Sequence, residues 1–152
     1  MDKINEQFLR VKRWYKRLEE ISNGREDTRE SDYYEDVLYA FFQNCFHLKD
    51  WAINSGALSK DIINDFIESN TDMKICRDLC NGSKHLVINN PSIDSNVSVN
   101  RRKYSISIGG GPTKIEIHYF VRTGNYPPLD AFDLATNCSI QWEILLKKHN
   151  LL

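Results

Sequence analysis

Apolar residues recur about every three to four positions through most of this chain, which is the period of amphipathic α-helices. The clearest case lies between Lys3 and Ile21, where Ile4, Phe8 and Val11 share one face. The same pattern predicts a second helix that Ser31 or Asp32 caps and that runs to about Asn54, and further helices over residues 60–68, from about 73, and over about 129–148. The second helix is apolar around most of its girth, which indicates a central place in a helical bundle.

Small polar residues stand where the N-caps of these helices belong. Ser59 or Ser55 precedes the third predicted helix, and Thr71 or Asp72 precedes the fourth. Gly82 is a candidate end for the fourth helix, which otherwise continues for about one more turn. In the last helix, the spacing predicts that Ile140 and Trp142 face inward, with Phe132, Ala135 and Leu145 or Leu146.

Two segments with a period of two flank a glycine-rich turn at 109–112. Tyr104 and Ile106 alternate with serines before the turn, and Ile115 and Ile117 alternate with polar residues after it. This arrangement predicts an antiparallel hairpin at about 101–122 that ends before the prolines at 127–128. Because a lone hairpin is weakly stable in water, it must lie on the bundle, extend a partner's sheet or take a third strand from 96–99.

These elements predict a mainly α fold in a single domain over residues 1–152. We expect a bundle of four or five helices, with an antiparallel β-hairpin inserted before the last helix. No apolar run approaches the roughly 18 to 20 residues of a membrane span. The N-terminal residues also lack the apolar core of a secretory signal, so a cytoplasmic protein without a membrane partner is expected.

Composition narrows the classes of function. The chain has 152 residues and a formal net charge of -1, which argues against nucleic-acid binding through overall charge. A local basic patch remains possible at Arg101, Arg102 and Lys103, which lead into the hairpin. Such a patch either contacts phosphates or is a solvated strand edge that prevents aggregation.

Four cysteines, at 45, 76, 80 and 138, each fall on or near an apolar helix face. A free cysteine behaves there as a small hydrophobic side chain, so buried thiols are expected. No spacing typical of a zinc ribbon is present, and the sequence predicts no metal and no cofactor.

His47 and Asp50 stand three residues apart on the second helix and are expected to face another element. Asp78 and His85 on the fourth helix are candidates to face them. Four such groups can hold a divalent metal in a bundle. They can equally form a buried hydrogen-bond network, for example with His47 donating to Asp78.

The densest polar chemistry lies between Arg77 and His85. On an ideal helix a stripe about 120° wide collects Lys74, Arg77, Asp78, Asn81, Lys84 and His85. The opposite face carries Met73, Cys76, Leu79 and Cys80, as a core face should. This stripe is either a reaction site or a solvated surface.

An arginine, a polar neighbour and a later histidine, placed late in a small helical bundle, resemble the HEPN superfamily. The resemblance covers about 31–90, and seven residues separate Arg77 from His85, more than the usual spacing in that family. Many of its members are toxins or defence proteins that cut RNA without a metal, as dimers. The resemblance implies that Arg77 holds the scissile phosphate, Asp78 is its polar neighbour and His85 transfers a proton.

Two hypotheses follow. The first is a cytosolic, metal-independent endoribonuclease, or an inactive relative, that acts on RNA as a homodimer. Aromatic residues beyond the needs of the core, such as Trp14, Tyr33 and Trp142, also favour a homodimer. The second is a non-enzymatic module that binds protein or nucleic acid through the hairpin and the stripe. In this hypothesis Asn81 and Lys84 of the stripe also contact the partner.

Overall fold

The computed structural model describes residues 3–24, 31–85, 98–107, 114–124 and 126–152. It confirms a mainly α fold with an antiparallel hairpin before the last helix. The elements run in the order α1 Lys3–Ser22, α2 Ser31–Asn54, α3 Lys60–Glu68, α4 Thr71–His85, β1 Ser98–Ser107, β2 Lys114–Thr123, β3 Tyr126–Asp130 and α5 Ala131–Lys148.

Helix α2 is the centre of the bundle, as its apolar girth predicts. It packs against α1, α4 and α5. Leu38, Phe41, Phe42 and Leu48 are fully buried along it. Burial of each such side chain contributes about 1.5–3 kcal/mol, so this helix makes a large contribution to the core.

The caps partly match the predictions. The Ser59 hydroxyl accepts a hydrogen bond from the backbone N–H of Ile62 and so caps α3. The predicted start of α4 is wrong, because the carbonyl of Asn70 already accepts from Lys74 and the helix begins at Thr71. The Ser59 bond satisfies an N–H group that the start of α3 leaves without a partner in the helix.

Gly82 does not end α4, which continues to His85. A glycine inside a helix costs about 1 kcal/mol relative to alanine. The buried side chains of Leu79 and Cys80 hold this part of the helix against the core and offset that cost. Tertiary packing therefore overrides the stop signal.

The three strands form one antiparallel sheet in the order β1-β2-β3. Its register pairs Tyr104 with Ile117 and Ile106 with Ile115, so the apolar positions of the hairpin stand opposite one another. The third strand predicted from 96–99 is wrong, because residues 98 and 99 belong to β1.

The third strand is instead Tyr126–Asp130, which the two prolines had marked as the end of the sheet. Pro127 and Pro128 are exposed in this edge strand. An edge strand needs ladder donors on one side only, so residues without an N–H are tolerated there.

The sheet lies on the bundle, as one of the three predicted arrangements requires. Tyr119 and Val121 of β2 are buried in the same core as the helices. The Tyr39 hydroxyl of α2 hydrogen-bonds the backbone of Val99 in β1. At the other edge, the Asp130 carboxylate accepts from two backbone N–H groups at the start of α5 and caps that helix.

Two predictions about which side chains are exposed to solvent are wrong. Ile140 is 48% exposed and does not face inward. Trp142 is fully buried, with its ring 4.8 Å from that of Phe66, so it adds no aromatic surface. Trp14 and Tyr33 are partly buried against the core. Helix α5 carries more apolar positions than one inward face can hold, and packing selects among them.

In the part of the chain that the structure describes, no helix combines the length and apolar character needed to cross a membrane.

Candidate functional site

Arg77 lies on α4 beside the end of α3. Its Nη1 donates to Oε1 of Glu68, the last residue of α3, across 2.8 Å. The side chains are 25% and 59% exposed, respectively, so solvent screens this ion pair. The guanidinium therefore already has a carboxylate partner, which a phosphate would have to displace.

Asp78, next to Arg77, is fully buried. The prediction that it lies on a solvent-facing stripe is wrong for this residue. Helix α4 packs on α2 and also contacts β1, so part of its polar side faces protein rather than water. Asp78 has an interaction partner, as a buried carboxylate must. Asn81, one turn further on, is half-buried.

His85 is the last residue of α4, and its side chain and that of Lys84 lie outside the described residues. Eight positions on a helix correspond to about 12 Å of rise and a turn of about 80°. The backbone thus places Arg77 and His85 on one side of α4 but two turns apart. Convergence of the two side chains stays a prediction.

The basic positions of the hairpin lie in β1. Arg102 pairs with Tyr119 and Lys103 with His118, and the register shifts between Asn100 and Arg102, which makes Arg101 the extra residue of a bulge. The side chains of 101–103 lie outside the described residues. The role of this patch, a phosphate contact or a solvated edge, stays a prediction.

His47 is exposed on α2 and hydrogen-bonds α4, the helix that it was expected to face, but through Cys80, a residue that the sequence analysis did not pair with it. Its Nε2 lies 3.7 Å from Sγ of Cys80 on α4. Asp50 is bonded to Lys49, whose Nζ lies 2.6 Å from Oδ1. Among the described side chains, no group of three or more His, Cys, Asp or Glu is placed to hold a metal ion.

The Cys80–His47 pair sits in a small polar network between α2 and α4. The Ser83 hydroxyl donates to the carbonyl of Cys80 at 2.8 Å and accepts from the Gln43 amide at 3.2 Å. A thiol beside an imidazole can pass its proton to the ring and become a nucleophile. Cys80 is only 3% exposed, however, so a substrate has little access to its sulfur.

Sequence reasoning missed this pair because 33 positions separate the two residues. The only available signal was the helical period, which places Cys80 on the inner face of α4. It does not reveal which residue of α2 that face meets. That choice depends on how the two helices pack.

The remaining three thiols meet inside the core, where buried cysteines were predicted. Cys45, Cys76 and Cys138 are all fully buried and come from α2, α4 and α5. Cys76 donates to the carbonyl of Phe42 at 3.6 Å, and Cys138 to that of Asp72 at 3.5 Å.

The three thiols titrate as a group. Burial raises the pKa of Cys76 and of Cys138, and hydrogen bonding to Cys45 raises both further. For Cys45, burial raises the pKa, and the neighbouring Cys138 and Cys76 thiols act in the opposite direction.

A groove of about 420 Å³ runs between α3 and α5. Its apolar lining includes Ile62, Phe66 and Leu145, and Asp65 and Lys148 bring one charge of each sign to it. Ile144 also lines the groove and is 55% exposed. One turn earlier on α5, Ile140 is exposed as well, so an apolar surface continues from the groove along the helix. The sequence analysis did not single out this surface, because it predicted that Ile140 faces the core.

A second cavity, of about 310 Å³, lies between the start of α1 and the end of α2. Lys3, Asp50 and Trp51 line it.

Comparison of the chain with protein-family models, with curated proteins and with solved structures finds no match in any of the three. Its function has to be argued from its own residues.

Proposed function

We propose that this protein is a non-enzymatic interaction module that binds another protein. The observation that carries the proposal is the apolar surface formed by Ile140, Ile144 and the groove between α3 and α5. Ile140 and Ile144 are 48% and 55% exposed, and they lie one turn apart on α5. Exposed apolar groups that continue into a groove are typical of protein interaction sites.

The positions of the residues proposed for catalysis also favour an interaction module over an enzyme. Arg77 is paired with Glu68, and Asp78 is fully buried. A phosphate would have to compete with the Glu68 carboxylate, and the buried carboxylate of Asp78 is not accessible to an RNA strand. These two side chains serve the contact of α4 with its neighbours better than they serve a reaction.

Charge also favours a protein over a nucleic acid. Binding to RNA depends on cations that neutralise phosphates, and the chain has a net charge of -1. The groove carries Asp65 as well as Lys148, so it offers no excess of positive charge. A mixed rim around apolar residues is typical of protein interfaces.

A metal-independent ribonuclease of the HEPN type is the second candidate. One observation favours it: the Arg77 side chain is 25% exposed, on the helix that ends at His85. In this reading the stripe from Arg77 to His85 and the basic positions of β1 together contact RNA.

The two functions are separated by a cleavage assay with purified protein, labelled RNA and a metal chelator. The interaction module leaves the RNA intact and unbound at moderate salt. Cleavage that leaves a 2′,3′-cyclic phosphate, and that Arg77→Ala and His85→Ala both abolish without loss of fold, would overturn the proposal in favour of the ribonuclease.

The binding surface is tested in cells with a photo-crosslinking amino acid at position 140 or at position 9. Leu9 is an exposed apolar residue of α1, at 39%, and provides a matched control. We expect protein adducts from position 140 that disappear when Ile144→Asp is added, and none of these adducts from position 9. Equal labelling from both positions, or none from position 140, contradicts the proposal.

A further inference from the structure

We propose that the partner of this surface is a second copy of the same chain, bound through antiparallel pairing of the two α5 helices. The inference rests on the proposed function and names the occupant of its surface. It is argued from the order of charges along the exposed side of α5.

The exposed positions of α5 form one stripe about 100° wide on an ideal helix. It includes Asp133 near the start, Ile140 and Ile144 in the middle, and Lys147 and Lys148 at the end. The stripe is thus acidic at one end, apolar at its centre and basic at the other end. Lys147 is bonded within its own helix to Glu143 at 2.7 Å, which leaves Lys148 as the cation nearer the groove.

This order is self-complementary in one orientation only. When two α5 helices run antiparallel around a two-fold axis between Ile140 and Ile144, each isoleucine meets the other isoleucine of the partner. Measured along the helix axis, Asp133 then lies three residues, or about 4.5 Å, away from the partner subunit's Lys148. The flexible four-carbon stem of a lysine spans this distance. A parallel arrangement would instead place like charges side by side.

The groove adds the contribution of α3. Ile62 and Phe66 are half-buried beside Ile144, and a partner helix over the groove covers them further. The apolar centre is nevertheless small, with two exposed isoleucines from each copy. Small interfaces are typical of weak, transient association. The dimer is therefore expected to be reversible and dependent on concentration.

Sedimentation velocity of the purified protein over a range of concentrations tests this inference. We expect a monomer–dimer equilibrium that weakens as salt is added, because the end contacts are ionic. Replacing both central residues, Ile140→Gln with Ile144→Gln, should raise the dissociation constant by at least about tenfold. Leu9→Gln, the matched change on α1, should leave it unchanged.

A charge exchange tests the orientation. Lys148→Glu alone should weaken the dimer several-fold, since it faces Asp133 of the partner subunit. Adding Asp133→Lys should restore the affinity. Each variant is checked by circular dichroism and thermal unfolding, so a loss of fold is separated from a loss of pairing.

A monomer at every concentration, or a dimer that the isoleucine changes leave intact, would overturn this inference. So would failure of the charge exchange to restore a dimer that Lys148→Glu had weakened. If the purified protein is monomeric but position 140 still crosslinks to a different chain in cells, self-association fails while the interaction module stands. Failure of both experiments removes both proposals.

Discussion

The Arg77 guanidinium donates to the Glu68 carboxylate across 2.8 Å and so links α4 to the end of α3. The sequence presents Arg77 as the residue best suited to hold a phosphate, and the fold provides it with a carboxylate nine positions earlier. Because of this contact, we assign Arg77 a structural role in joining α4 to α3.

The Arg77–Glu68 pair should contribute little to stability. A double-mutant cycle with Glu68→Gln and Arg77→Ala should give a coupling of about 0.2–1 kcal/mol, because solvent screens a pair that is partly exposed. Arg77→Ala alone should cost more than Glu68→Gln, since it also removes the half-buried stem of the side chain. Urea unfolding measures all four proteins, and a coupling well above this range would show a far less screened contact.

Asp130 should stabilise the junction of β3 with α5. Its carboxylate accepts from the N–H groups of Phe132 at 2.8 Å and Asp133 at 3.0 Å. Asp130→Ala should therefore cost about 1 kcal/mol, within a range of roughly 0.5–2. Asp130→Asn keeps a capping oxygen and should retain most of the stability. Urea unfolding compares the two variants. An equal loss of stability in both would assign the effect to the negative charge of Asp130, for instance to its contact with His118 at 3.6 Å.

The buried thiols should make the protein sensitive to alkali. Burial raises the pKa of Cys76 and Cys138 above the ordinary value of 9.0. As the pH rises past 9.0, the unfolded chain therefore loses these protons before the folded protein does. Their contribution is present below that pH and is lost above it, by on the order of 1 kcal/mol per pH unit for each thiol.

The measurement is urea unfolding between pH 8 and about 10.5 for the native sequence and for Cys138→Ala. The variant is less stable at neutral pH because it leaves a cavity, but its stability should fall less steeply above pH 9. Parallel curves for the two proteins would show that Cys138 ionises as readily in the core as in water. Tyr39, whose pKa burial also raises, is common to both proteins and cancels in the comparison.

The bounds of α1, α2 and α3 could be predicted from the sequence to within one or two residues. A helix that buries one face needs an apolar residue at nearly every turn, so its pattern is local. The two strands of the hairpin were equally readable, because their apolar and polar residues alternate within each segment on either side of a glycine-rich turn. The third strand was missed because Pro127 and Pro128 mark a break locally, and only its place at the sheet edge makes them acceptable.

The candidate site was far less predictable. Composition and period identified Arg77, Asp78 and His47 as polar residues on particular helices. They did not show that Arg77 meets Glu68, that Asp78 is buried or that His47 meets Cys80. Each of these facts depends on the packing of one helix against another.

The sequence by itself determined the helices and the two strands of the hairpin, because the side-chain period is set within a few neighbouring residues, whereas β3 became a strand only through its place at the sheet edge. The tertiary structure alone decided which apolar residues of α5 remain exposed to solvent. Trp142 fills the core while Ile140 and Ile144 face solvent. The period predicted that both Ile140 and Trp142 are buried, but the space between α3 and α5 is finite, and the arrangement of the bundle determines which of them it accommodates.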